Sequence, residues 1–119
     1  MHFCTNPQQI WKVDGDLTVN TPDGIAAIGG THTISGRLAI QGDFFIDAAP
    51  KFYGGGTIEI LGSTTFQGGL LSTNIIRCQG SFTMLTTTAK KLETTRLILE
   101  GTSTWTAGDL VTQYGSTII

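Results

Sequence analysis

The stretch Thr57-Ile58-Glu59-Ile60-Leu61-Gly62-Ser63-Thr64-Thr65-Phe66 reappears in outline as Arg96-Leu97-Ile98-Leu99-Glu100-Gly101-Thr102-Ser103-Thr104-Trp105, with apolar residues, a glycine and an aromatic at the same places. Between them Ile76-Arg77-Cys78-Gln79-Gly80-Ser81-Phe82-Thr83-Met84 fits the template, and upstream Leu38-Ala39-Ile40-Gln41-Gly42-Asp43-Phe44-Phe45-Ile46 fits it again. A weaker copy, Leu17-Thr18-Val19-Asn20-Thr21, leads to Ile25. The copies begin at Leu17, Leu38, Ile58, Ile76 and Leu97, at spacings of 21, 20, 18 and 21 residues, and Ile118 opens a sixth.

Each copy alternates apolar and other residues with period two, the pattern of a strand with one buried face. Equivalent positions then face inward together. One column holds Leu17, Leu38, Ile58, Ile76 and Leu97; the next holds Val19, Ile40, Ile60, Cys78 and Leu99. A third holds Ile46, Phe66, Met84 and Trp105, with Ile25 as its expected first member. One such turn cannot bury its inward side alone, so the copies must stack. The spacing predicts an all-β fold, a single-stranded parallel β-solenoid (β-helix) of five to six coils of 18–21 residues. An antiparallel sandwich, with strands every 8 to 12 residues, gives no reason for matching columns over five copies.

Trp11-Lys12-Val13 and Thr31-His32-Thr33-Ile34 read as a further strand before each copy, giving two or three strands per coil. Gly15, Gly36, Gly56, Gly42, Gly62, Gly80 and Gly101 are expected at corners that need positive φ. The segment from Thr86 to Glu93 reads as a surface bulge on one coil. Residues 1–10 are expected to form an N-terminal cap or leader, with Ile10 and Trp11 as its plug, and residues 11–119 the solenoid.

Composition agrees. Of 119 residues, 16 are Gly and 20 are Thr but only seven are Ala, which favours extended chain and turns over helix. Charged residues make up 13% and the formal net charge is −2, which offers no basic stripe for nucleic acid. No window approaches the ~20 apolar residues of a membrane span, and no signal peptide is visible at the start. Cys4 and Cys78 fall about three coils apart, which at ~4.8 Å per coil exceeds the ~7 Å limit for a disulfide. Both are expected to be reduced, with Cys78 a small core hydrophobe.

At this level the chain resembles the right-handed parallel β-helix repeats of large secreted or surface proteins, namely autotransporter passengers, adhesins and the pectate-lyase-like group. The resemblance runs from Trp11 to Ile119 and is carried by units such as Leu97-Ile98-Leu99-Glu100-Gly101-Thr102-Ser103-Thr104-Trp105-Thr106-Ala107-Gly108. It implies right-handed coiling, and a secreted or cell-surface setting if the chain is cut from a longer protein.

No enzyme constellation emerges. The nine acids do not converge: Asp14 and Asp16 flank Gly15, and no other acid falls in register with them. His2 and His32 lack partners at triad or zinc spacing. Gly54-Gly55-Gly56 belongs neither to a phosphate loop nor to a calcium-binding nonapeptide. No catalytic residue, cofactor or metal is therefore expected. Glu59 and Arg77 share an outward column and are expected to pair.

Two features remain as candidate contact surfaces. Ser63 and Thr65, Ser81 and Thr83, and Thr102 and Thr104 follow the aligned glycines in three successive coils, giving hydroxyl rows suited to glycan contact or to ice, broken at Asp43 and Phe45 in the second coil. Phe45, Leu61 and Ile98 on outward positions hint at an apolar patch. Ile118 and Ile119 end the sequence partway through a coil without a polar cap, which suits end-to-end stacking on another copy or a cut from a longer solenoid. The expected function is a non-enzymatic structural or adhesive solenoid with protein, itself included, as partner. The alternatives are a fragment of a carbohydrate-binding or carbohydrate-active β-helix, and an ice-binding surface.

Overall fold

A computed structural model describes residues 3–4, 11–20, 24–27, 30–47, 50–85, 90–93, 95–106, 110–113, 115 and 117–119. In chain order the strands are β1 (Phe3–Cys4), β2 (Lys12–Val13), β3 (Asp16–Val19), β4 (Ile25–Ala27), β5 (Thr31–Ile34) and β6 (Arg37–Ile40). Next come β7 (Phe44–Ile46), β8 (Lys51–Tyr53), β9 (Thr57–Ile60), β10 (Thr64–Phe66), β11 (Gly69–Ser72) and β12 (Ile75–Cys78). The last are β13 (Phe82–Met84), β14 (Lys90–Glu93), β15 (Arg96–Leu99), β16 (Ser103–Trp105), β17 (Leu110–Gln113) and β18 (Thr117–Ile118). No helix occurs among the described residues.

Every third strand stacks on the last, so the strands form three parallel six-stranded sheets. Sheet A contains β1, β4, β7, β10, β13 and β16; sheet B contains β2, β5, β8, β11, β14 and β17; sheet C contains β3, β6, β9, β12, β15 and β18. This is a parallel β-solenoid with three strands per coil. Four strands in each sheet are bonded on both sides, so about four turns are fully stacked and the edge strands complete the ends.

The register follows the aligned columns. Leu17 pairs with Leu38, Leu38 with Ile58, Ile58 with Ile76, Ile76 with Leu97 and Leu97 with Ile118. Val19, Ile40, Ile60, Cys78 and Leu99 are matched in the same way. The third column needs one correction: Ile25 pairs with Phe44, and Ile46 has Ala27 beneath it, so Ile25 belongs to a separate column that runs from Phe3 through Ile25, Phe44, Thr64 and Phe82. A fifth inward column, in sheet B, sets His32, Phe52, Leu71 and Leu92 one above another. Aromatic rings interlock across walls and between coils, Phe44 of sheet A edge-on to Phe52 of sheet B at 5.8 Å and Phe66 edge-on to Phe82 of the next coil of sheet A at 6.3 Å.

Stacking, not residue type, decides burial along a column. Leu38 is 1% exposed with coils on both sides, whereas Leu17, in the edge strand of the same column, is 46% exposed. Phe66 is sealed at 0%, and Trp105 two coils on is 56% exposed. This dependence on neighbours is the expected energetics of a one-dimensional repeat.

The corner glycines require a second correction. Positive φ occurs at Gly24, Gly30, Gly54, Gly69 and Gly115, and at none of the seven glycines for which the sequence pattern anticipated it. Close approach explains the aligned column instead: a Cβ on Gly80 would lie 2.3 Å from the Gly62 carbonyl oxygen, and one on Gly101 would lie 2.3 Å from that of Gly80. The coils meet backbone to backbone at this corner, and only hydrogen fits between them.

The Thr86 to Glu93 segment also departs from expectation. Lys90–Glu93 form a regular strand of sheet B, with Lys90 and Leu92 buried, because Leu92 continues the column above Leu71. Residues 86–89 lie outside the described residues. Of the anticipated cap, Phe3–Cys4 form the edge strand of sheet A against β4, and the remainder of residues 1–10 lies outside the described residues.

Candidate functional site

The three outer walls differ in chemistry, because each displays the residues that alternate with the buried columns. On sheet C the wall carries a charged ladder. Arg37 grips Glu59 with two bonds, Nε at 3.1 Å and Nη2 at 2.8 Å, and one coil pair further on Arg77 donates from Nε to Glu100 Oε1. Glu59 lies directly across from Arg77 in register, yet its partner is Arg37, which reaches diagonally to a residue two places beyond its own register partner Thr57. The expected Glu59–Arg77 pair is thus replaced by two diagonal pairs, a geometry within reach of long side chains across neighbouring strands. The hydrogen bond from Arg37, opposed by partial burial and helped by the Arg37 and Arg77 charges, holds the Glu59 carboxyl below the usual carboxylate range.

Sheet B presents Lys12, Lys51 and Lys91 with Tyr53, which is 37% exposed. Lys12 lies 4.0 Å from Asp14 at the surface. Behind this wall His32 is fully buried, and its Nδ1 accepts the Trp11 N–H at 3.0 Å. The ring is packed between Trp11 and Phe52, both at 4.9 Å, so a structural duty accounts for it.

Sheet A carries the hydroxyl rows. Thr65 sits over Phe45, Thr83 over Thr65 and Thr104 over Thr83, one outward column across four coils. Ser63, Ser81 and Thr102 stand at the preceding corner, where their carbonyls accept the N–H groups of Phe44, Thr64 and Phe82, each at 2.8 Å. Ser81, Thr102 and Thr104 are exposed; Ser63, Thr65 and Thr83 are half-buried. The structure therefore brings all six together on one wall. Phe45, which the sequence pattern makes a break in the array, stands in line with it and is 36% exposed. Its place three residues after Gly42 matches that of Thr65 after Gly62, which is the signal that finds it. Asp43 turns its Oδ1 onto the Ser63 N–H at 2.8 Å, bracing the corner.

The anticipated apolar patch divides among elements: Phe45 lies on sheet A, Leu61 at the corner after β9, and Ile98 on sheet C. Apolar hollows lie instead at the ends. One of about 350 Å³ is lined by Trp11, Val13, Leu17, Val19 and Ile25 over Leu38. The other, about 240 Å³, lies among Phe82, Met84, Leu97, Leu99, Trp105 and Ile118. Ile118 is 44% and Ile119 63% exposed, and Ile119 exchanges backbone bonds with Leu97 and Leu99.

Cys78 is a buried free thiol that accepts from the Thr64 hydroxyl at 3.6 Å, and burial pushes its pKa up to about 11. Such a thiol is a poor nucleophile. Among the described residues no group of three or more His, Cys, Asp or Glu side chains is placed to hold a metal ion. Comparison with protein-family models, with curated proteins and with solved structures finds no match to this chain.

Proposed function

We propose that the chain is a non-enzymatic structural and adhesive β-solenoid of a secreted or cell-surface protein, one that lends rigid coil to an assembly and associates with itself or with other protein through an open end or an exposed face. The observation that carries this reading is the last rung. Strands β16, β17 and β18 are each bonded on one side among the described residues, and their sequences, Ser-Thr-Trp, Leu-Val-Thr-Gln and Thr-Ile, contain no charge and no proline. Charge and proline are the usual guards of a strand edge. Trp105, Ile118 and Ile119 are the most exposed large apolar residues near it.

A second copy stacked end-on would extend all three sheets and cover the apolar hollow beside Trp105. The described body measures 29 × 28 × 27 Å, as broad as it is tall, so rod-like extension needs such additional coils. The surface acids support a structural role, since Glu59 and Glu100 are each held by an arginine and Asp43 by a backbone N–H.

Multi-angle light scattering over a wide concentration range tests this. The chain should grow in mass with concentration, and Ile118→Lys, which places a charge at the edge, should suppress the growth. A wild-type chain that stays monomeric at the highest concentration would refute self-association.

A further inference from the structure

The outer wall of sheet A is uncharged along its centre, unlike the other two. Its outward column runs Phe45, Thr65, Thr83, Thr104, and in the third to fifth coils the residues at its margins are Ser63 and Gln67, Ser81 and Leu85, and Thr102 and Thr106. The acids beside it, Asp43 and Asp47, belong to the second coil, and both are engaged within the fold. Sheet B, by contrast, presents three lysines, and sheet C the arginine–glutamate ladder.

We propose that this wall is a binding surface for a neutral, extended polysaccharide lying along the solenoid axis, an inference that rests on reading the chain as an adhesive module. The ligand class follows from three properties. A threonine hydroxyl both donates and accepts, and so matches a sugar hydroxyl in either sense. The rows repeat at the strand spacing of ~4.8 Å, so a long glycan meets the same pair of hydroxyls at each of three successive coils. The exposed Phe45 ring, in line with the hydroxyls and one coil beyond Ala26, supplies an apolar platform for the C–H face of one sugar, with the polar groups beside it fixing orientation. An ionised glycan would have to shed water from its charges against a wall that offers no counter-charge, and that is costly.

Native electrophoresis of the 119-residue chain in gels cast with hydroxyethylcellulose, a neutral glycan, or with polygalacturonate, an acidic one, tests the proposal. The chain should be retarded by the neutral polymer, with little dependence on salt, and not by the acidic one. Phe45→Ala should weaken the retardation at least fivefold, and Thr83→Val, which keeps the shape and removes one hydroxyl, should weaken it measurably. Far-UV circular dichroism verifies the fold of each variant. Unretarded wild type, retardation by polygalacturonate alone, or full retention in both variants would overturn the proposal. Thermal hysteresis without glycan retention would likewise overturn it in favour of ice. Self-association in light scattering is read separately, so failure of the glycan surface and failure of the adhesive module are told apart.

Discussion

Replacing Gly80 by alanine should destabilise the solenoid, while the same change at Gly15, the first member of the other corner column, should not. The Cβ at position 80 would sit 2.3 Å from the Gly62 carbonyl oxygen and 2.7 Å from its carbon. Real Cβ atoms essentially never come closer than 3.0 Å, so the coils must part by roughly 0.7 Å. The neighbouring bond from Gln79 N–H to the Ile60 carbonyl is 2.9 Å long, and such a shift carries it beyond hydrogen-bond range. Overpacking costs about 1–3 kcal/mol and a lost bond adds about 1 kcal/mol, so a total near 2–4 kcal/mol is expected. At Gly15 a Cβ meets nothing within 4 Å, because no described coil lies beneath it. There alanine restricts the unfolded chain and should be neutral or stabilising, by up to about 1 kcal/mol. Urea unfolding gives both values from the midpoint at constant slope. Equal midpoints for Gly80→Ala and Gly15→Ala would show that backbone contact between coils is not what demands glycine.

Two further outcomes follow from the titratable groups. The Glu59 carboxyl is held below the usual range, so its contribution is present above the unfolded carboxylate pKa and is lost as pH falls through the folded value; Glu59→Gln should flatten the acid limb of urea midpoints measured between pH 7 and pH 3, and a double-mutant cycle should couple Glu59 to Arg37 more strongly than to Arg77. Cys78 has the opposite sign: its raised pKa contributes below the ordinary thiol range and the contribution is lost as pH climbs toward about 11, and at neutral pH its alkylation, read by peptide mass spectrometry, should wait for unfolding.

Much of this architecture is legible in the residues because a stacked coil repeats its environment. Leu38, Ile58, Ile76 and Leu97 must all be apolar for the same reason, and the repeat exposes that reason without coordinates. The register of sheet C follows from it, since slipping one residue would turn every one of these side chains outward. Sheet B is harder to read. Its buried column mixes His32 and Phe52 with Leu71 and Leu92, and Lys90 is buried beside it, so the pattern hides β14 within what looks like a polar loop.

Other features belong to the packed molecule alone. That Arg37 rather than Arg77 holds Glu59 depends on which long side chain reaches diagonally, and column alignment records only who stands opposite whom. Glycine at position 80 reads as a bend in the chain, and only the coil beneath shows that the demand is for room between two backbones. Phe45 interrupts a pattern of hydroxyls in one dimension and completes a wall in three, because neighbours on that wall are one coil apart in space and about twenty residues apart along the chain.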